Sequence, residues 1–202
     1  PLAHTPGSSM HIHQSVVERG SGRNIFSADD GEATAAFYHF IGGQQAALAD
    51  FTLLFAPHVN SYQRLCHPYA SPNNACWSAD NRAAGLRIPA SAPVARRVEN
   101  RLPGADANPY LALAASLAAG LHGLERELQP SAPIQGEFEV PDELALPCTM
   151  HAAIERLKRS ELAVELFGAE FIEGYIASKT LELTSFYDEI TPWERRVLAA
   201  QA

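Results

Sequence analysis

Cysteine and lysine are scarce in this chain. Its 202 residues include three cysteines, none in a Cys-x-x-Cys pair, and two lysines against 13 arginines. An odd number of scattered cysteines argues against a disulfide framework and predicts structural thiols in a reducing, cytoplasmic setting. The sequence also lacks a signal peptide pattern and any apolar run long enough to cross a bilayer, so we expect no membrane partner.

Positive charge is low overall but concentrated in one region. The formal net charge is -8, which makes nucleic acid a poor partner. Residues 62–101 nevertheless carry a net charge of +4, because this segment contains six arginines and only two acidic residues, Asp80 and Glu99. Those six are Arg64, Arg82, Arg87, Arg96, Arg97 and Arg101. A basic island in an acidic protein predicts small anionic ligands. The alternative is chance clustering in an arginine-rich chain.

The composition, 47% hydrophobic and 19% charged, predicts one folded domain of mixed secondary structure. Apolar periodicity predicts a helix over 33–55, with Gly42-Gly43 as a weak point, and a buried helix over 110–128 that Asn108-Pro109 begins. Residues 57–80 are predicted to form a long ordered loop. Other expected elements are strands over 10–17, 83–88 and 95–102 and helices over 149–158, 161–167 and 169–189. A capping box at Thr191 predicts a last short helix.

Two histidines lie on the first predicted strand. His11 and His13 stand two positions apart, so both rings leave one side of the strand, within reach of one metal or of a metal and its anionic ligand. A structural or surface role is the commoner explanation of such a pair. The preceding Gly7-Ser8-Ser9 turn could offer N–H groups to an anion, but it is not a P-loop because no Gly-Lys-Ser/Thr follows.

Arg97, Glu99 and Arg101 alternate along the third predicted strand and share one of its faces. Two guanidiniums around one carboxylate suit a face that meets anions and a metal together, which is the chemistry of phosphoryl transfer. Arg64, Arg82 and other nearby arginines have few local acids, so anionic ligands would compensate their charge if they are buried.

Five motifs in order resemble the glutamine synthetase superfamily over nearly the whole chain. They are Gly-Ser-Ser-Met-His-Ile-His-Gln-Ser (7–15), Asn-Ser-Tyr-Gln-Arg (60–64), Asn-Arg-Ala-Ala-Gly-Leu-Arg-Ile-Pro (81–89), Ala-Arg-Arg-Val-Glu-Asn-Arg (95–101) and Gly-Ala-Asp-Ala-Asn-Pro-Tyr-Leu-Ala (104–112). Within that superfamily the chain looks closest to the γ-glutamylpolyamine (γ-glutamylputrescine) synthetase branch.

The resemblance implies an α+β fold, the C-terminal portion of a glutamine-synthetase-type catalytic domain. Antiparallel strands would carry the site, with packed helices and a helical C-terminal tail. A strand and loop part over 1–107 would hold the active site, and a helical part would follow over 108–202. The implied activity is an ATP- and Mg²⁺- or Mn²⁺-dependent ligase that phosphorylates the γ-carboxylate of glutamate and couples it to an amine.

The resemblance also assigns roles on the metal and nucleotide side. His11 and Glu99 would ligate the same metal. His13 would contact an ATP phosphate, Ser15 would lie near the adenine, and Arg97 would support nucleotide binding.

On the substrate side, Arg64 and Arg101 would hold glutamate, with a backbone contact from Gly7. Arg82 and Arg87 would stabilise the transferring phosphoryl group and the ATP phosphates. Of these residues, Arg82 and Arg101 are the candidates for a catalytic role that the resemblance implies.

Three positions depart from the glutamine-forming pattern: Pro6 replaces an Asn, Ala70 replaces a Glu near the ammonia site, and Val94 replaces a basic nucleotide contact. The loss of the Glu favours an organic amine, such as the polyamine putrescine, as acceptor. The family's other metal carboxylates would lie N-terminal to residue 1. We therefore expect a fragment that is inactive in isolation, from a parent that forms ring-shaped homo-oligomers.

Three alternatives remain open at this point. A glutamine synthetase that uses ammonia would retain the same motifs. A non-catalytic structural or regulatory family member would fit the substituted positions. A cupin-like metal enzyme would use His11 and His13, but it leaves the arginines unexplained.

Overall fold

Four short strands form one sheet in the computed structural model, which describes residues 7–66 and 71–201. They are β1 (Ile12–Gln14), β2 (Trp77–Ala79), β3 (Leu86–Ile88) and β4 (Val98–Asn100). Across the sheet the order is β1-β4-β3-β2. β1 and β3 pair antiparallel with β4, whereas β2 pairs parallel with β3. The register sets His13 and Arg87 on either side of Glu99, so distant parts of the chain meet at one residue.

Helices make up most of the remaining regular structure. In chain order they are α1 (Ala35–Leu48), α2 (Thr52–Phe55), α3 (Ser61–Leu65), α4 (Pro109–Glu125), α5 (Met150–Lys158), α6 (Glu161–Phe167), α7 (Ala169–Tyr187) and α8 (Pro192–Leu198). The mixed architecture confirms the expected fold class. The division at residue 107 stays a prediction. No helix of the described ranges is long and apolar enough to span a membrane.

The predicted helix ends are confirmed where local chemistry sets them. The Asn108 side chain accepts hydrogen bonds from the N–H groups of Tyr110 and Leu111, and Pro109 opens α4. Thr191 and Glu194 form the reciprocal capping box at the start of α8. Unpaired N–H groups at a helix start need such acceptors, so these ends can be identified from a few neighbouring residues.

Two predictions about the middle of the chain are wrong. Residues 57–80 are not one loop, because they contain α3 and β2. Tyr62 and Leu65 of α3 are buried, and β2 is held by its pairing with β3, so tertiary packing supplies what the local sequence does not indicate. The helix expected over 33–55 is interrupted after Leu48, not at Gly42-Gly43.

The glycines of α1 are a packing feature. A Cβ at Gly43 would lie 2.2 Å from the carbonyl oxygen of Ala119 and 2.5 Å from Cα of Gly123, both on α4. The two helices therefore approach through small residues. Replacing Gly43 with alanine should lower the free energy of unfolding by about 1–3 kcal/mol, because α1 and α4 must separate.

Urea denaturation measures this change, and Gly174 provides the matched control. It lies within α7, and a Cβ there would meet nothing within 4 Å. Gly174→Ala should raise the free energy of unfolding by about 0.5–1 kcal/mol through helix propensity alone. Equal effects of the two substitutions would contradict the close packing of α1 on α4.

The expectation that α4 is buried holds for one face only. Ala112, Ala115 and Ala119 are buried, whereas Leu113 and Leu117 are 50% and 45% exposed. Small residues face α1 because the helices are close, and the larger leucines are left on the outer face. The composition of α4 suggested full burial, but the size of its residues decides which face packs.

Candidate functional site

A buried carboxylate organises the candidate site. Glu99 is 2% exposed and lies in the middle strand pair of the sheet. Its Oε2 accepts a hydrogen bond from Nη1 of Arg87 at 2.7 Å, and its Oε1 accepts one from Nη1 of Arg101 at 2.8 Å. Nδ1 of His11 lies 2.9 Å from Oε1, and Nε2 of His13 lies 4.0 Å from it. Sequence-predicted residues that lie in or directly beside β1, β3 and β4 are thus brought together.

The surrounding charges set the protonation of this carboxylate. Burial alone would raise the pKa of Glu99, but the hydrogen bond from Arg87 and the charges of Arg101 and Arg87 outweigh it and hold the pKa below its usual range. Burial, followed by the charge of Arg101, lowers the pKa of His11. Glu99 is therefore ionised and His11 neutral at pH 7, which are the forms that ligate metals.

His11 and Glu99 fit a divalent cation in kind but supply only part of a coordination sphere. A carboxylate oxygen and an imidazole nitrogen suit Mg²⁺ or Mn²⁺, and the two side chains are already adjacent. In the described part of the chain, no group of three His, Cys, Asp or Glu residues could hold a metal ion. His11 and Glu99 alone would therefore leave coordination positions for further oxygen ligands.

Arg64 forms a second part of the site. Its guanidinium is buried, donates to Oγ of Ser71 at 2.7 Å and also contacts the Leu102 carbonyl. No carboxylate of the described ranges forms an ion pair with Arg64. Burial lowers its pKa, against the opposing charge of Asp106. A buried cation that contacts neutral groups is suited to an anionic ligand.

Gly7 lies against the Arg64 side chain. A Cβ at residue 7 would stand 3.0 Å from Cγ of Arg64, so a larger residue would push this side chain aside. Gly7 is therefore next to Arg64, and its backbone contact with a substrate stays a prediction.

The remaining predicted residues make fewer side-chain contacts with the Glu99 cluster. Arg97 Nε contacts Nδ1 of His13 at 3.2 Å, which places Arg97 at the exposed edge of the Glu99 cluster. Ser15 is exposed just beyond β1, and Arg82 is exposed in the turn before β3. Neither makes a side-chain hydrogen bond or ion pair within the described residues. The structure does not bring these two side chains into the cluster.

The positions that depart from the family pattern are only partly described. Val94 is 78% exposed, in a 3₁₀ turn over Pro93–Ala95. Pro6 and Ala70 lie outside the described residues.

Asp80 is a site residue whose role the sequence analysis missed. It forms an ion pair with Nη2 of Arg87, and its backbone φ is +48°, an uncommon conformation for a non-glycine residue. The N–H of Asp80 donates to the carbonyl of Ile88 at 2.9 Å, so the parallel pairing of β2 with β3 creates the contact. The sequence shows an acidic residue within a basic segment, but it does not show that Arg87 is its partner.

A polar network connects β1 and β4 to the helices α1 and α4. Oγ of Ser116 on α4 donates to Oε1 of Gln14 at 2.5 Å and accepts from Nδ2 of Asn100 at 3.2 Å. Nε2 of Gln44 on α1 also donates to Oε1 of Gln14, at 2.8 Å. Gln14 and Asn100 neighbour His13 and Glu99 in sequence and point to the opposite face of the sheet. Both site strands are thereby fixed to the helix layer.

Comparisons with known proteins agree on one family. Residues 1–198 match the model of the glutamine synthetase catalytic domain. A γ-glutamylethanolamide synthetase of Streptomyces coelicolor is 40% identical over 190 residues, 94% of this chain and 40% of that protein. A glutamate–isopropylamine ligase of a Pseudomonas species is 37% identical over 199 residues, 96% of this chain and 43% of that protein.

A glutamine synthetase of Thermus thermophilus is 35% identical over 204 residues, 96% of this chain and 45% of that protein. The solved structure of ligand-free GmaS superposes with a TM-score of 0.83 at 33% identity, covering 97% of this chain and 46% of GmaS. The chain thus spans less than half the length of each of these relatives.

Proposed function

The chain belongs to the glutamine synthetase family, and from this premise we propose that the full-length protein is an ATP-dependent ligase that joins the γ-carboxylate of glutamate to an organic amine. The observation that carries the proposal is the buried Glu99, which contacts His11, Arg87 and Arg101. Such an arrangement combines metal-ligating groups with cations at the point where phosphoryl charge would develop.

Each group would contribute through its charge and position. Arg64 and Arg101 hold the carboxylates of glutamate, and the backbone at Gly7 adds a contact. Arg87 and the exposed Arg82 bind the phosphates of ATP, and they stabilise the transferring phosphoryl group. The guanidiniums of Arg64, Arg87 and Arg101 are held by protein hydrogen bonds before substrate binds, so little reorganisation of these three is needed in the transition state.

The metal and nucleotide side involves the other predicted residues. His11 and Glu99 hold a divalent cation, which neutralises phosphate charge when bound. His13 contacts a phosphate, and its neighbour Arg97 supports the nucleotide. Ser15, two positions farther along, lies towards the adenine. These roles rest on the family resemblance and on the adjacency of His11, His13, Arg97 and Glu99.

The acceptor is proposed to be an organic amine. One relative is named for an ethanolamide product and another for isopropylamine as the amine it joins to glutamate, and Ala70 replaces the Glu of the ammonia-using pattern. Without that carboxylate an organic substituent has room, and one negative charge is absent. Putrescine, the acceptor favoured by the sequence analysis, stays a prediction, as does a ring-shaped homo-oligomer. Ammonia is the second candidate, because other relatives are glutamine synthetases.

Product analysis with the full-length protein tests the proposal. The protein is incubated with ATP, Mg²⁺ and glutamate, and with ethanolamine, isopropylamine, putrescine or ammonia in separate reactions. Mass spectrometry of the products should detect a γ-glutamyl amide with at least one organic amine, matched by ADP release. Glutamine as the sole product would overturn the choice of acceptor. ADP release without any amide would overturn the ligase itself.

A further inference from the structure

Two of the three cysteines lie against each other on the surface. The Cys66 thiol donates to the backbone oxygen of Cys148 at 2.9 Å, although the residues are 82 positions apart. Nδ2 of Asn73 lies 2.8 Å from Sγ of Cys148. Both cysteines are exposed, whereas Cys76 is completely buried. The expectation of inert structural thiols suits Cys76 but leaves this exposed pair unexplained.

The pair borders an open cavity of about 320 Å³ between α3, α5 and α7. Tyr62, His151 and Phe186 line it together with the two cysteines. A small oxidant can therefore reach both sulfurs from solvent. Among the described residues no third metal-ligating side chain completes a metal site here, so paired-thiol chemistry is the better match.

The geometry points to a modification site: we propose that hydroperoxides oxidise Cys66 and Cys148 to a reversible disulfide, which weakens glutamate binding through the neighbouring Arg64. In reducing compartments such disulfides are transient and commonly serve as sensors. The effect on glutamate rests on the proposed function, whereas formation of the disulfide does not.

The reaction starts at Cys148. Partial burial, and then the neighbouring Cys148 thiol, raises the pKa of Cys66 to about 12, and the Cys66 thiol proton is already bound by the Cys148 carbonyl, so Cys66 is a poor first nucleophile. The sulfur of Cys148 attacks one peroxide oxygen, the O–O bond breaks, and the leaving hydroxide takes up a proton to form water. Cys148 becomes a sulfenic acid, and each peroxide oxygen gains one electron.

Cys66 completes the disulfide. As its proton is lost, its sulfur attacks Sγ of Cys148, the S–O bond breaks, and hydroxide leaves to form a second water. Overall, two thiols and one hydrogen peroxide give one disulfide and two waters. The hydrogen bond between the two residues holds Cys66 beside the sulfenic acid, so this step is intramolecular.

The connection to Arg64 follows from its neighbours. Cys66 caps the C-terminus of α3, two residues after Arg64, and Ser71 accepts a hydrogen bond from Nη1 of Arg64 at 2.7 Å. An S–S bond of about 2 Å draws the end of α3 towards the start of α5. A small displacement of Arg64 should raise the KM for glutamate by about fivefold and change kcat less.

The disulfide is tested on the reduced full-length protein by brief treatment with hydrogen peroxide, alkylation and peptide mass spectrometry. We expect a cross-linked Cys66–Cys148 peptide that dithiothreitol removes, with Cys76 still alkylated once the protein is denatured. Cys148→Ser and Cys66→Ser should each abolish the cross-link. Stable sulfinic acid at either cysteine, or a cross-link to Cys76, would overturn the modification site.

Kinetics on the same samples test the consequence. The KM for glutamate should rise on oxidation of wild-type protein, return with dithiothreitol, and stay constant in peroxide-treated Cys148→Ser protein. An unchanged KM despite complete cross-linking would overturn the link to Arg64. If the disulfide forms but no preparation makes an amide, the proposed function fails and the modification site stands.

Discussion

Replacing Glu99 with glutamine should reduce amide formation by the full-length protein by about 1,000-fold. The carboxylate contacts His11, Arg87 and Arg101 and is almost fully buried. Glutamine keeps nearly the same shape but removes the negative charge that balances two guanidiniums and would ligate the metal. Both the orientation of the arginines and the cation are lost, which affects kcat and metal dependence together. Steady-state rates at several Mg²⁺ concentrations measure the change.

Glu182 provides a matched control on α7. Its carboxylate also contacts a histidine and a cation, with Oε1 2.7 Å from Nδ1 of His58 and Oε2 2.8 Å from Nζ of Lys179. Glu182→Gln removes a similar ion-pair centre away from the sheet and should leave activity within about twofold. Wild-type rates in Glu99→Gln, or equal losses in both variants, would contradict the central role of Glu99.

Replacing Arg64 with lysine should raise the KM for glutamate by about 100-fold, a loss of about 3 kcal/mol. The planar guanidinium of Arg64 contacts Ser71 and Leu102 and has N–H groups left to bind a carboxylate. Lysine keeps the positive charge but cannot reproduce this geometry. The cost is large because the position is buried, so water cannot replace the lost hydrogen bonds. The KM for ATP should change little, which separates glutamate binding from nucleotide binding.

Arg156→Lys is the corresponding control. Arg156 contacts Oδ1 of Asp50 at 2.8 Å and is half exposed, so its charge already has a protein partner. Both kinetic constants of this variant should match those of the wild type. If Arg64→Lys raised the KM for ATP as much as that for glutamate, Arg64 would not be a dedicated glutamate contact.

Features set by a few neighbouring residues could be predicted from the sequence. The Asn108 cap, the Thr191 capping box and α6 agree with their predicted positions. The alternation of Arg97, Glu99 and Arg101 likewise indicated a strand, and β4 lies within the predicted range. In each case the structure depends on hydrogen bonds or side-chain directions among residues a few positions apart in the chain.

Features set by distant parts of the chain could not be predicted in the same way. β2 exists because it pairs with β3, and that pairing also brings Asp80 to Arg87. Ser71 and Leu102 meet Arg64 only after the chain has folded. The residue types of the site were visible in the sequence, and the family resemblance supplied the roles predicted for them. The resemblance predicted that His11 and Glu99 share a metal, but their direct contact at 2.9 Å is visible only in the folded structure.

The buried face of α4 could not be predicted from the hydropathy of its residues. Its leucines and alanines are both apolar, so hydropathy does not distinguish the buried face from the exposed one. The close approach of Gly43 to Ala119 and Gly123 selects the small residues for the interior. Steric fit with α1 therefore decides the orientation of α4, and fit depends on a partner more than 60 residues away.

Isotope transfer tests the central claim most directly. The amide-forming reaction is run with glutamate carrying ¹⁸O in both γ-carboxylate oxygens, and the released phosphate is analysed by mass spectrometry. If ATP phosphorylates the γ-carboxylate and the amine then displaces phosphate, each amide formed should release one phosphate containing one ¹⁸O atom. Unlabelled phosphate would contradict the account, because it would mean that glutamate never received the phosphoryl group.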